Sequence, residues 1–188
     1  GGIESVAHAA GYSVLVSQSN ERWEEEKNIV KTMLAKKIDG LAISLASETT
    51  DYKHFDAVIS RGVPVVFFDR VPLDKRSSCV RIDNRTAAYN AVMHLIKQGC
   101  TRIVHLSGPQ AISVYKDRQD GYVQALMDSD IRVDSSLIFE NSITLATGEE
   151  AGKKILAMPV LPDAIFSAGD YSAMGVMHVL KKNGVKVP

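Results

Sequence analysis

Apolar positions along this chain alternate between a helical and a strand-like period. Ile3, Val6, Ala7 and Ala10 fall at i, i+3, i+4 and i+7, one face of a helix, with Gly11 as its stop. Residues 12–16 form a short β-branched run, read as a strand. Asn20 is placed to cap the next helix; Glu21, Glu24, Glu25 and Glu26 crowd its start and Lys31, Lys36 and Lys37 its end, complementing the helix dipole. Its buried stripe is Ile29, Val30, Met33 and Leu34, and Asp39-Gly40 turns the chain into a strand at 41–44. The unit then repeats. A helix begins at Asp51 with Phe55, Val58 and Ile59 inward and stops at Gly62, followed by a wholly apolar strand at 64–68. A short strand is expected at 79–82, then a helix capped by Asn84 with Ala88, Ala91, Val92 and Leu95 on its face, ended by Gly99.

The second half continues the alternation. Strands are expected at 102–106, 137–139 and 164–166. The helices between and after them carry Tyr122, Ala125 and Leu126, then a capping box at Thr147-Gly-Glu-Glu150 with an end at Pro159. The last helix is capped by Asp170, with Ala173, Val176, Met177 and Leu180 inward, and closes at Gly184. Strands separated by helices of this length mean βαβ units with right-handed crossovers and parallel sheet. Roughly eight strands fit either one sheet or two shorter ones. The polar, proline-bearing stretch 71–78 reads as a loop, and both ends of the chain read as lying within the fold, so further strands are expected beyond them.

Composition narrows the function classes. With 45% hydrophobic residues, the 188-residue chain can build a real core. Its 22 basic and 22 acidic residues leave no net field to draw nucleic acid to this segment. Cys79 and Cys100 lack any metal-ligand spacing and read as two buried free thiols, in keeping with a reducing cytosol. No run of about 18 apolar residues could span a membrane.

In open α/β sheets ligands bind beyond the carboxyl ends of the strands. The residues there are Ser44, Asp69-Arg70, Asp83-Asn84, Ser107-Gly-Pro109 and Ser167-Ala-Gly-Asp170. They include no Walker A loop, dinucleotide-binding glycine motif, G-x-S-x-G elbow or H-E-x-x-H pair. The five histidines are scattered and read as partly exposed helix or strand residues. What gathers instead is recognition chemistry: Asp69, Arg70, Asp83, Arg118 and Asp170, with Phe68 and Phe166 as possible stacking faces. Carboxylates and guanidinium groups at strand ends fork hydrogen bonds to hydroxyls or heterocycle edges. Each also has a plainer explanation: Asp170 as a helix cap, Asp83 as a turn, Arg118 as a solvated helix residue, Phe166 as core. No nucleophile, general base or metal cluster stands out, so the sequence is read as a non-enzyme without a cofactor.

Several ordered motifs resemble the effector-binding core of LacI/GalR-type transcription regulators. They are Gly62-Val-Pro-Val-Val-Phe-Phe-Asp-Arg70, Val80-Arg-Ile-Asp-Asn84, His94-Leu-Ile-Lys-Gln-Gly99, Arg102-Ile-Val-His-Leu-Ser-Gly-Pro109, Arg118-Gln-Asp-Gly-Tyr122, Phe166-Ser-Ala-Gly-Asp170 and Gly184-Val-Lys-Val-Pro188. The resemblance implies a type I periplasmic-binding-protein-like α/β fold of two parallel-sheet, Rossmann-like subdomains with a ligand cleft between them. The expected division puts residues 1–99 in the first subdomain, lacking its first strand, and 100–188 in the second, incomplete at its end, with the crossing near 99–102. A DNA-binding helix-turn-helix, absent from these residues, is implied as a separate domain.

By the same resemblance, Asp69 and Arg70 match ligand contacts at a strand end, Arg118 the effector-binding arginine, and Phe166 a position that stacks on ligand. Gly169 stands where many sugar-binding members carry Asn before the aspartate, which argues against a lac-type sugar. Ile112 and Val114 are apolar where purine binders are polar. The implied function is a cytoplasmic, homodimeric regulator. It would take a sugar or related metabolite as effector and reach operator DNA through the helix-turn-helix, with no membrane partner. The alternative is a periplasmic sugar-binding receptor of an ABC transporter, which shares the fold.

Overall fold

The computed structural model describes residues 1–72 and 78–187, so part of the expected 71–78 loop lies outside the described residues. The chain divides into two compact units, residues 1–80 and 81–188.

The first unit carries α1 (Gly2–Ala9), α2 (Trp23–Ala35), β1 (Leu41–Ile43), a 3-10 turn (Lys53–Phe55) running into α3 (Asp56–Ser60), β2 (Val65–Phe68) and β3 (Ser78–Val80). The strands form a parallel sheet in the order β1-β2-β3, with Leu41 opposite Val65 and Phe67 opposite Cys79. Val65 and Phe67 point into a core with Val30, Leu45, Phe55, Val58 and Val71. The Phe55 and Phe67 rings pack nearly perpendicular, with centroids 5.1 Å apart.

The second unit carries α4 (Asn84–Lys97), β4 (Ile103–Leu106), α5 (Ser113–Met127), β5 (Ile138–Phe139), α6 (Leu145–Leu156), β6 (Ala164–Ser167) and α7 (Asp170–Lys182). Its parallel sheet runs β5-β4-β6, and central β4 is buried on both faces. Val104 and Leu106 face Ala151, Ile155, Val176 and Leu180 of α6 and α7. Ile103 faces Val92, Tyr122, Ala125 and Leu126 of α4 and α5. This two-sided burial is why Ile103, Val104 and Leu106 are apolar without a polar alternation.

The parallel α/β class thus matches the sequence reading, with corrections. Among the described residues six strands, rather than roughly eight, form two sheets of three, the two-sheet arrangement that the resemblance implied. Residues 12–16 form no strand and pair with no described one, leaving Tyr12, Leu15 and Val16 exposed. A strand is stable only with a neighbour to take its backbone groups. The division expected at residues 99–100 falls inside the second unit. Gly121 of α5 brings its backbone against α4, where an added Cβ would lie 2.3 Å from the Arg85 carbonyl oxygen, so α4 belongs with α5.

Helix caps shift by one to three positions. α2 starts at Trp23, because Asn20 and Glu21 adopt left-handed backbone (φ 50° and 65°). Asp83 caps α4, not Asn84, and Gly169 rather than Asp170 precedes α7. The capping box joins Thr144 and Thr147 at α6, not Thr147 and Glu150. Ile59 and Met177 face solvent, and Ser172 and Val179 take buried places on α7. Cys79 is exposed and Cys100 half-buried, both free, so the buried-thiol reading is wrong on location. The stops at Gly62 and Gly99 hold, with φ of 72° and 93°, backbone that glycine adopts without strain.

Candidate functional site

The sequence-nominated residues fall into two groups, one at the carboxyl edge of each sheet. In the first unit β2 ends at Phe68, and the chain turns through Asp69, whose φ of 56° is unusual for a non-glycine residue. The Asp69 amide donates to the Val80 carbonyl at 3.1 Å, and its carboxylate side is exposed. Arg70 then reaches across to Glu21. Its two terminal nitrogens donate to the two Glu21 carboxylate oxygens at 2.5 and 2.8 Å, a fork-to-fork pair. The Ser47 amide adds a third donor to Glu21 at 2.8 Å. The Arg70 guanidinium, ahead of the Ser47 amide, holds the Glu21 carboxyl below its ordinary range against the opposing pull of partial burial.

Beneath this pair lies a second carboxylate. Glu26 is only 3% exposed, yet all its needs are met. It accepts from the Ala46 amide (2.6 Å) and Thr49 Oγ1 (2.9 Å) and pairs with His54 Nε2 (2.8 Å). A buried carboxylate persists only when paired and hydrogen-bonded this completely. Glu21 and Glu26 therefore pin the loop after β1 to the start of α2. The sequence reading missed both, since their clustering at a helix start was already explained by the dipole.

In the second unit Arg118 is the hub. Half-buried on α5, it donates from Nε to Asn84 Oδ1 at 3.0 Å and from a terminal nitrogen to the Ala168 carbonyl. Both acceptors are neutral, so its charge has no ion-pair partner among the described residues. The Ala168 contact sets Arg118 beside Gly169, where an added Cβ would meet nothing within 4 Å. Around the end of β4, Ser107 is buried and its hydroxyl donates to Gln119 Oε1 at 2.8 Å. The Gln110 amide donates to Ser107 Oγ and to the Gly108 carbonyl, each at 2.9 Å, folding the loop back on itself. Gln110, Gln119 and Asn84 as a side-chain ligand of Arg118 were not singled out from sequence; inside a helix or a loop, a lone amide gives no periodic signal.

The other nominated residues divide. Asp83 is exposed and takes the Thr86 amide (3.0 Å) and hydroxyl (2.7 Å) as a helix cap. The Thr86 amide and then its hydroxyl lower the Asp83 pKa. Asp170 is exposed at the first turn of α7 and caps nothing. Phe166 turns inward: its ring stacks on His105 with centroids 4.9 Å apart at 18°, and the Tyr122 ring lies 4.9 Å from His105 and 6.4 Å from Phe166. His105 is fully buried, not partly exposed, because β4 is covered on both faces. Its Nδ1 donates to the Phe166 carbonyl at 3.1 Å, while Nε2 has no partner among the described residues. Burial pushes its pKa from the ordinary 6.5 down to about 4.

Over residues 1–188 the chain matches the family described as periplasmic binding proteins and sugar binding domain of LacI family. The chain belongs to that family. The HTH-type transcriptional repressor CytR of Escherichia coli K12 is 34% identical over 190 residues, covering 100% of this chain and 54% of CytR. Catabolite control protein A of Priestia megaterium is 32% identical over 188 residues, covering 100% of this chain and 56% of that protein. This LacI-family chain thus spans about half the length of the curated relatives it matches. Among solved structures, the transcription regulator CcpA of Lactococcus lactis superposes with a TM-score of 0.89 at 26% identity, over 100% of this chain and 68% of that one. In this chain the carboxyl edge of each sheet carries one arginine, Arg70 engaged by a carboxylate and Arg118 oriented by neutral groups.

Proposed function

We propose that this chain is the effector-binding and dimerisation core of a ligand-responsive transcription regulator, cytoplasmic and not an enzyme. Its operator contacts would be made by a helix-turn-helix domain outside these residues. The observation that carries the reading is Arg118, half-buried at the carboxyl edge of the second sheet, aimed by Asn84 and Ala168, with its charge unneutralised by any described residue. An oriented guanidinium, together with the Ser107, Gln110 and Gln119 hydrogen-bonded group after β4, suits binding of a polar small molecule such as a sugar or related metabolite. That edge groups hydroxyls, amides and a guanidinium but no base poised on a nucleophile, which supports binding over catalysis. CytR is named as an HTH-type transcriptional repressor and the Lactococcus lactis CcpA as a transcription regulator, which supports a regulator over a transport receptor. Ligand would act by its differential affinity for two conformations of the full-length protein.

Asp69, Arg70, Arg118, Gly169 and Asp170 are proposed as effector contacts, with Asp83 and Phe166 supporting the site as helix cap and inward packing partner. The test is a thermal-shift screen of the full-length protein against sugars, sugar phosphates, nucleosides and nucleobases, repeated in Arg118→Ala and Asp69→Ala. A concentration-dependent rise in melting temperature that disappears in both variants is expected. A rise of the same size in both variants would refute the site.

A further inference from the structure

The first unit presents three anion donors side by side at the carboxyl edge of its sheet: the consecutive amides of Ala46 and Ser47 and the Arg70 guanidinium. Successive backbone amides next to a guanidinium are the usual means of holding a phosphate or carboxylate. Here all three are filled from within the chain. Glu26 takes the Ala46 amide, while Glu21 takes the Ser47 amide and both terminal nitrogens of Arg70. The backbone is bent to achieve this. Asn20, Glu21 and Asp69, none of them glycine, all hold left-handed φ between 50° and 65° where the two sides of the pair meet. Such conformations persist only where surrounding contacts impose them, and they gather at functional positions.

We propose that Glu21 determines charge selectivity at this edge. Its carboxylate occupies the place an anionic ligand group would need on Arg70 and Ser47, so the edge admits hydroxyl or amide groups and rejects phosphorylated or carboxylated effectors. This deepens the proposed function and rests on the reading that this edge meets the effector. Arg118 supplies the contrast. Within the second unit its acceptors, Asn84 Oδ1 and the Ala168 carbonyl, are neutral. The effector group that fits this edge is an uncharged one, such as the hydroxyls of a polyol or nucleoside.

Glu21→Gln removes the charge and breaks the fork, yet retains one oxygen to accept the Ser47 amide. Isothermal titration of the full-length protein with inorganic phosphate reads the effect without knowing the effector. In an Arg118→Ala background, which takes the second unit's guanidinium out of the reading, the protein should show no saturable binding up to about 10 mM, and adding Glu21→Gln should give binding about tenfold tighter or better. The gain should be lost when Arg70→Met is added to Glu21→Gln. No gain in Glu21→Gln, or a gain that survives loss of Arg70, overturns the proposal. Glu21→Ala gives the same reading should the glutamine variant fail to melt cooperatively. The two hypotheses fail separately, because an effector response indifferent to Arg118→Ala counts against the proposed function while leaving the phosphate gain intact.

Discussion

Single residues differ in how far their chemistry shows in the sequence. Arg118 and Asp69 were legible because a charged group closing an apolar strand or opening a helix behind one has few structural uses. His105 was misread as partly exposed, although the signal existed: two residues after Ile103, it shares that residue's face of a strand covered on both sides. The ring is kept neutral by burial, which gives the stability a pH dependence of known sign. The unfolded chain takes up a proton as pH falls through 6.5, while the folded chain resists until about 4. Stability contributed by the neutral ring is therefore present above pH 6.5, falls across the window from 6.5 to 4, and levels off below it, by about 3 kcal/mol at most. Urea unfolding of wild type and His105→Phe across that window checks this, since the variant should lose that part of the slope. The depressed carboxylate of Glu21 acts lower, its contribution disappearing as pH falls through and below the ordinary carboxylate range. Equal slopes in wild type and variant would contradict the account.

At the scale of elements, pattern predicted helix and strand existence well and boundaries less well. Amphipathic stripes depend on many positions at once, whereas a cap depends on one backbone angle. That is why Asn20 was misassigned and why the capping box was read three residues late. Residues 12–16 have a strand's composition without a described partner, and composition cannot supply a partner. Helix contacts through glycine were also invisible. Gly121 and Gly148 sit where an added Cβ would come within 2.3 Å of the backbone oxygens of Arg85 and Ser172. Gly121→Ala and Gly148→Ala should each destabilise by about 2–4 kcal/mol, because the obstacle is backbone and cannot rotate away. Gly169, extended and open, is the control: Gly169→Asn should stay within about 0.5 kcal/mol of wild type and add a polar group beside Arg118. Chemical denaturation midpoints separate the two outcomes. Thr144→Ala should cost about 1 kcal/mol through loss of the α6 cap.

For the whole molecule, the alternating order of strands and helices was enough to specify parallel α/β structure, and the ordered motifs pointed to the family that the comparisons establish. The position of the division was not legible. It depends on α4 packing against α5 through Gly121, a contact between residues far apart in sequence with no periodic trace. The candidate site was half legible: its arginines were found, but the groups that aim or neutralise them, Asn84 and Glu21, look ordinary along the chain. Under the proposed function, ligand binding at this domain would control DNA binding by the complete protein. Fluorescence anisotropy of the full-length protein on its own promoter DNA tests it most directly, with and without the compound found by thermal shift, in wild type and Arg118→Ala. The account predicts a change in DNA affinity of about fivefold or more on adding the compound to wild type, and unchanged DNA affinity but no response in Arg118→Ala. A wild-type protein whose DNA binding ignores the compound, or an Arg118→Ala variant that responds as wild type does, would contradict it.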